Sequence, residues 1–236
     1  MGQERYNNTM KFPYKIINLT QPINENSPTW SNNCGYEPTT ILDYTQCDPS
    51  IPFKVMGINM ELGIGTHLDA PAHCNPQGRY INQLNINDLF LKFYVIDISH
   101  RYGPHNNLTL EDVILFEQTH EPITSNSAVI INTGWHGNWL DKESYHNNYQ
   151  FPHVDYEAAQ YLYNKNIKAL GIDTLSPERP SATFPIHQLF LNNDKLILEN
   201  IAFNDYLQPT GGFLLMGVLP MMTTECPVSL WAFMPR

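Results

Sequence analysis

The stretch Gly63-Ile-Gly-Thr-His67-Leu-Asp69-Ala-Pro71-Ala-His73 brings two imidazoles and a carboxylate together within eleven residues. Neutral imidazole nitrogen and carboxylate oxygen are ordinary ligands for zinc and manganese. On a strand, His67 and Asp69 lie two apart and share a face, so a single ion can be met by both. Gly65 lets the backbone bend and Pro71 stiffens it, which helps three side chains to converge. The competing reading is a loop whose histidines merely satisfy buried polar groups. The clustering of the three favours metal or acid–base chemistry.

Further candidates lie downstream. His187 falls within Ile186-His-Gln-Leu-Phe-Leu191, and twelve residues later Glu199 interrupts the apolar run Leu196-Ile-Leu-Glu199-Asn200. A carboxylate in such a run is costly unless it is paired or bound to a cation. Asp173, just beyond the apolar segment Lys168–Ile172, is either an acceptor that orients a ligand histidine or part of a cap or turn. Trp30 follows a turn rich in proline and asparagine, and is either a core anchor or a lid over a planar substrate. Trp135 and His136, between Gly134 and Gly137, are candidates for a pocket wall or an ordinary surface turn. His100, His105, His120, His146 and His153 are isolated in polar surroundings and read as surface residues.

The Gly65–His73 stretch resembles the signature H-x-G-T-H-x-D-x-P-x-H of the metal-dependent cyclase-like hydrolases. Gly65-Thr66-His67, Asp69, Pro71 and His73 match; the place of the opening histidine is taken by Gly63, which has no side chain to offer a metal. The resemblance runs from about Ile16 to Phe233 and includes Gly171-Ile-Asp173-Thr174-Leu175-Ser176 and the His187–Glu199 spacing. It implies that Asp69 bridges two metals, with His67 on the first, His187 on the second and Glu199 touching both. It leaves His73 as an unligated general acid–base and sets an aromatic, here Trp30, against the substrate.

The implied reaction is hydrolysis of a carbon–nitrogen bond in a small amide, either an aryl formamide or a cyclic amide. The implied cofactor is one or two divalent ions, zinc first and manganese second, and the implied assembly is a homodimer or homotetramer. Because Gly63 removes a donor, the expectation is a single ion held by Asp69, His187 and Glu199, with His67 as a further donor. Water or Glu61 are the substitutes for the missing ligand. Two other readings stay open: a metal-binding protein without catalysis, which Gly63 favours, and a structural or interaction protein on the same fold, which the retention of His73 beside Asp69 opposes.

These side chains need a scaffold, and the hydrophobic pattern supplies one. Tyr14–Asn18, Phe53–Met60, Lys92–Ile98, Ser127–Thr133, Lys168–Ile172, Phe213–Leu219 and Val228–Met234 read as strands. Thr109-Leu-Glu-Asp112 resembles a capping box opening a helix to about Gln118, and Asp155–Lys165 has helical spacing with Ala158, Ala159 and Leu162 on one stripe. Ile81–Phe90 is ambiguous between helix and loop. Strand, helix, strand is the βαβ pattern, so the expected fold class is α/β: a mixed sheet with flanking helices. The resemblance implies the swivelling β/α domain.

Length and charge set limits on partners. The 236 residues fit one domain over 1–236, with residues 1–13 loosely held. Twenty-three acidic against 13 basic side chains give a net charge of −10, which opposes nucleic acid and anionic membrane surfaces and leaves a small molecule as the expected partner. The N-terminus has neither a signal-peptide core nor an acylation motif, and Cys34, Cys47, Cys74 and Cys226 show no C-x-x-C spacing, so reduced thiols and a cytoplasmic location are expected. Cys74 stands out because it follows His73 directly.

Overall fold

Runs of aliphatic and β-branched residues dictate the centre of the sheet. In the computed structural model, which describes residues 12–236, the chain forms β1 (Tyr14–Asn18), β2 (Tyr36–Leu42), β3 (Val55–Met60), β4 (His67–Asp69), β5 (Phe90–Asp97) and β6 (Ala128–Asn132), followed by β7 (Ala169–Ile172), β8 (Leu196–Glu199), β9 (Gly212–Gly217), β10 (Glu225–Pro227) and β11 (Ser229–Pro235). The segment expected to be loosely held, residues 1–13, lies outside the described residues except for its last two. Nine strands join one sheet in the order β1-β11-β9-β5-β6-β7-β8-β4-β10. β5, β6, β7 and β8 pair in parallel, and the flanking pairs are antiparallel. Strands β6, β7 and β8 are buried at nearly every position because both of their faces are covered, whereas the antiparallel β9 and β11 alternate between buried and exposed residues.

Helices α1 (Ile86–Leu89), α2 (Leu110–Thr119), α3 (Lys142–His146), α4 (Tyr156–Asn164) and α5 (Pro185–Leu191) connect them. At α2 the Thr109 hydroxyl accepts from the Asp112 amide while Asp112 accepts from the Thr109 amide, the reciprocal cap read from the sequence. Val113 and Phe116 of α2, Ala158, Ala159 and Leu162 of α4, and Ile186 and Phe190 of α5 pack on one side of the sheet against Ile96, Val129, Ile131, Leu170 and Ile197. On the other side Phe93, Ala128, Ile130, Leu196 and Leu198 share a core with residues from both ends of the sheet: Ile17, Leu214, Leu230 and Ala232 from one, Leu68 and Cys226 from the other. The sheet therefore curls over its own face. The ambiguous Ile81–Phe90 segment resolves into a 3-10 turn at Ile81–Gln83, α1, and the start of β5.

β2 and β3 form a separate antiparallel pair with Ile41, Val55, Met56 and Ile58 exposed. No helix among the described residues is long and apolar enough to cross a membrane.

Candidate metal centre

β4 is only three residues long, and its two neighbours make it chemically important. It lies antiparallel between β8 and β10, so that His67 faces Glu199 and Asp69 faces Glu225 across the ladders. Alternation sends Leu68 into the core, while His67 and Asp69 share the opposite face. The approach to β4 demands a glycine: Gly65 has φ +66°, and a Cβ there falls 2.6 Å from Ile23 Cγ1. The turned Gly65 carbonyl accepts from His67 Nδ1 and from Asn200 Nδ2, both at 2.9 Å. With Nδ1 donating to a carbonyl, Nε2 is the nitrogen that His67 keeps for a ligand.

Four donors converge there. His67 Nε2 lies 3.1 Å from Glu199 Oε2 and 3.7 Å from Asp69 Oδ1; His187 Nε2 lies 3.4 Å from Glu199 Oε1 and 3.8 Å from Asp69 Oδ2. All four residues are buried. His187 arrives on α5, where Glu178 accepts from its backbone N–H at 2.8 Å and from Nδ1 at 2.7 Å, and also from the Ile186 amide at 3.1 Å. The Glu178 carboxylate thus caps the helix and turns the His187 Nε2 lone pair toward Asp69 and Glu199. Asp69 Oδ1 and Glu199 Oε1 are buried without a hydrogen-bond partner among the described residues. Buried carboxylate oxygens without partners are costly, so two imidazoles and two carboxylates around them fit a divalent cation.

The protonation equilibria carry the same signature. Burial alone pulls His67 and His187 down, but hydrogen bonds to carboxylates and the charges of Glu199 and Asp69 outweigh it, lifting His67 to about 9 and His187 to about 11. Burial, reinforced by the Glu199 charge, pushes Asp69 up; Glu199, bonded to both imidazoles, goes down despite its burial. Positive charge is wanted at this point, and protons supply it where a cation does not.

His73 stands at the side of this cluster, on the 3-10 turn Pro71–His73, and its Nδ1 lies 3.0 Å from Glu225 Oε2. The Glu225 hydrogen bond raises its pKa against a smaller opposing effect of burial. Asp69, His73 and Glu225 form a second group whose donor atoms lie within 4.8 Å of one another, beside the group of His67, Asp69 and Glu199. Gly63 adjoins both: a Cβ there lies 3.6 Å from His67 Nε2 and 3.7 Å from the Glu225 carboxyl carbon. Glu225, rather than the anticipated Glu61, therefore reaches the space beside Gly63. Glu61 lines the cavity wall but joins neither group.

Above the donors opens a cavity of about 630 Å³, walled by Trp30, Leu62, Leu175 and Phe184, with His73 and Cys74 on one side. The Trp30 ring lies 6.0 Å from Phe184, which in turn lies 5.8 Å from the His187 ring. Cys74 borders the cavity as a thiol that burial pushes up, away from thiolate.

The remaining candidates fall elsewhere. Trp135 is not at the cavity: it is buried, its indole N–H donates to the Tyr145 carbonyl, and it packs with Trp139, Phe151 and Leu175. Asp173 takes the turn role rather than orienting a ligand histidine: it accepts from the backbone amides of Thr133 and His136 and lies 3.1 Å from His136 Nδ1, and neither Asp173 nor His136 reaches the His67–Asp69–His187–Glu199 cluster, where Glu178 holds His187. His146 is a buried residue whose Nε2 donates to the Trp30 carbonyl, and His153 is half-buried; His100, His105 and His120 are exposed as expected. Glu178 and Glu225 were both missed. Ser176-Pro-Glu178-Arg carries no periodicity, and Thr224-Glu225-Cys226 is too short a strand to announce itself.

The family model described as "Putative cyclase" matches residues 17–179. The chain is similar to the kynurenine formamidase of Bacillus cereus (strain ATCC 14579), 24% identical over 196 residues that cover 80% of this chain and 86% of that protein. It shares its fold with an isatin hydrolase crystallised with the product analogue thioisatinate: TM-score 0.84, 23% identity, 95% of this chain and 94% of that one covered. A structure described as a potential metal-dependent hydrolase with cyclase activity superposes with TM-score 0.75 at 24% identity over 94% of this chain and 99% of its own.

Proposed function

We propose that this chain, which belongs to the Cyclase family of metal-dependent hydrolases, cleaves the carbon–nitrogen bond of a small aryl formamide or cyclic amide with the help of one tightly held divalent ion. The observation that carries this reading is the convergence of four buried donors, His67, Asp69, His187 and Glu199, at the floor of a cavity with aromatic walls and with His73 at its side.

His67, Asp69, His187 and Glu199 are the residues that hold the ion, zinc or manganese. Such an ion lowers the pKa of water from 15.7 to about 7 and polarises a carbonyl as a Lewis acid. The chain's own groups do the rest. His67, donating through Nδ1 to the Gly65 carbonyl, and His187, donating through Nδ1 to Glu178, each present Nε2 in a fixed tautomer. His73, with Nδ1 held by Glu225, keeps Nε2 to take a proton from the attacking water and return it to the departing nitrogen. Its raised pKa suits the second of these duties, protonation of a poor leaving group. Trp30 and Phe184 offer faces against which an aryl ring stacks, and the cavity's volume suits a substrate of one or two fused rings.

The deciding experiment is His73→Ala, with metal content and amide hydrolysis measured on the same preparation. Turnover lower by at least about 100-fold with the ion retained is expected. Loss of the ion together with activity makes His73 a ligand and overturns its role as proton carrier. Parent protein purified without chelator and free of metal overturns the hydrolase reading.

A further inference from the structure

We propose that Asp69, His73 and Glu225 form a second, weaker cation site at the mouth of the cavity, and that a divalent ion bound there switches hydrolysis off by occupying His73. Three elements supply its donors: β4 gives Asp69, β10 gives Glu225 directly opposite, and the 3-10 turn after β4 gives His73. Their donor atoms lie within 4.8 Å of one another. His73 Nδ1 and Glu225 Oε2 are 3.0 Å apart, a spacing open to neighbouring ligands that each lie about 2.1 Å from one ion. Asp69 is buried and its Oδ1 accepts no hydrogen bond among the described residues, so the carboxylate that this group shares with the first site has an oxygen that no N–H or O–H satisfies.

Gly63 leaves open space beside the site. A Cβ at that position lies 3.7 Å from both Cδ and Oε1 of Glu225, so a longer side chain competes for the space that the carboxylate uses. The two sites differ in exposure. His67, Asp69 and Glu199 are buried, whereas the side chains of His73 and Glu225 are 34% and 25% exposed. Water competes better for an exposed ion, and sharing Asp69 sets the two dications near each other, so the outer ion is held more weakly. The binding site stands on these residues alone. The effect on turnover rests on the proton-carrying role proposed above for His73: a cation on Nδ1 leaves the neutral ring's one proton on Nε2, and that nitrogen then cannot take a proton from the attacking water.

The test titrates zinc, and separately manganese, into the holoenzyme after dialysis has left only tightly held ion. Ions per chain are read by equilibrium dialysis, with turnover read in parallel. The expected result is a rise from one to two ions per chain, with turnover falling at least 10-fold along the same curve. Glu225→Gln, which keeps the shape of the side chain, is expected to retain the first ion, to lose the second, and to show no such fall over the same range. A stoichiometry that stays at one under excess metal overturns the site, as does loss of the tightly held ion in Glu225→Gln. A second ion that binds without reducing turnover leaves the site standing and overturns both the inhibition and the role of His73.

Discussion

Glu178 grips His187 at two points, accepting from its backbone N–H at 2.8 Å and from its Nδ1 at 2.7 Å with the same oxygen. One carboxylate thereby fixes where α5 begins, which tautomer His187 adopts and how basic its Nε2 is. Glu178→Ala is expected to weaken ion binding by about 10- to 100-fold, measured by competition with a chelator, and to lower stability because two α5 amides lose their acceptor. Glu178→Gln, whose amide oxygen can still accept, is expected to lose less. Unchanged ion affinity in Glu178→Ala contradicts the assignment.

The metal-free protein should be sensitive to alkali. His67 and His187 titrate at about 9 and about 11 in the fold, both above the ordinary histidine value near 6.5. A raised imidazole pKa contributes stability that is complete below the unfolded value and is lost as pH rises through the folded one. The melting temperature of chelator-treated protein is therefore expected to fall by roughly 5–10 °C between pH 7 and 10. With the ion bound, both imidazoles are already neutral ligands and the fall should largely disappear. A flat profile without metal contradicts the charge balance described for the site.

Trp30 is tied down by its backbone: its carbonyl accepts from His146 Nε2 and from the Tyr149 hydroxyl. Trp30→Ala preserves these bonds and removes only the ring, so the loop stays in place. A rise in KM of roughly 2- to 10-fold for an aryl substrate, with a smaller change in kcat, is expected from the loss of one aromatic contact. A fall in kcat with KM unchanged assigns the indole to the chemical step instead.

Gly63→His restores an imidazole without a backbone clash, since its Cβ meets His67 Nε2 at 3.6 Å and the Glu225 carboxyl at 3.7 Å, both ordinary contacts. Tightly held ions are expected to rise from one to two per chain by elemental analysis. Two ions in parent and variant alike mean that the parent already has a full set of donors.

The legible parts of this molecule are those where one short pattern decides the outcome. β6, β7 and β8 are carried by short apolar runs, the Thr109 cap is two side chains three residues apart, and the β4 donors sit on alternate residues of one motif. Glu199 declared itself because a carboxylate at the end of an apolar strand demands a reason. The outer parts of the site were opaque for a physical reason. Glu225 owes its role to register, lying opposite Asp69 across 156 residues of chain, and nothing within Thr223-Thr-Glu-Cys226 records that pairing. β2 hid because its partner is β3 alone and most of its residues are exposed, so neither alternation nor an apolar run marks it. His146 and Trp135 misled because polar or glycine-flanked surroundings suggest a surface, whereas Trp139, Tyr145 and Phe151 close over that corner as a small core of their own.

The threading of β4 between β8 and β10 also orders events in time. His67 and Asp69 are made well before Glu199 and Glu225, and among the described residues β4 pairs only with β8 and β10. A nascent chain can therefore pair β5, β6 and β7 before all four donors exist. An ion held by the proposed donors would therefore act as a clasp on strand contacts that bring together residues far apart in the chain, contacts that form slowly because a long loop must close first.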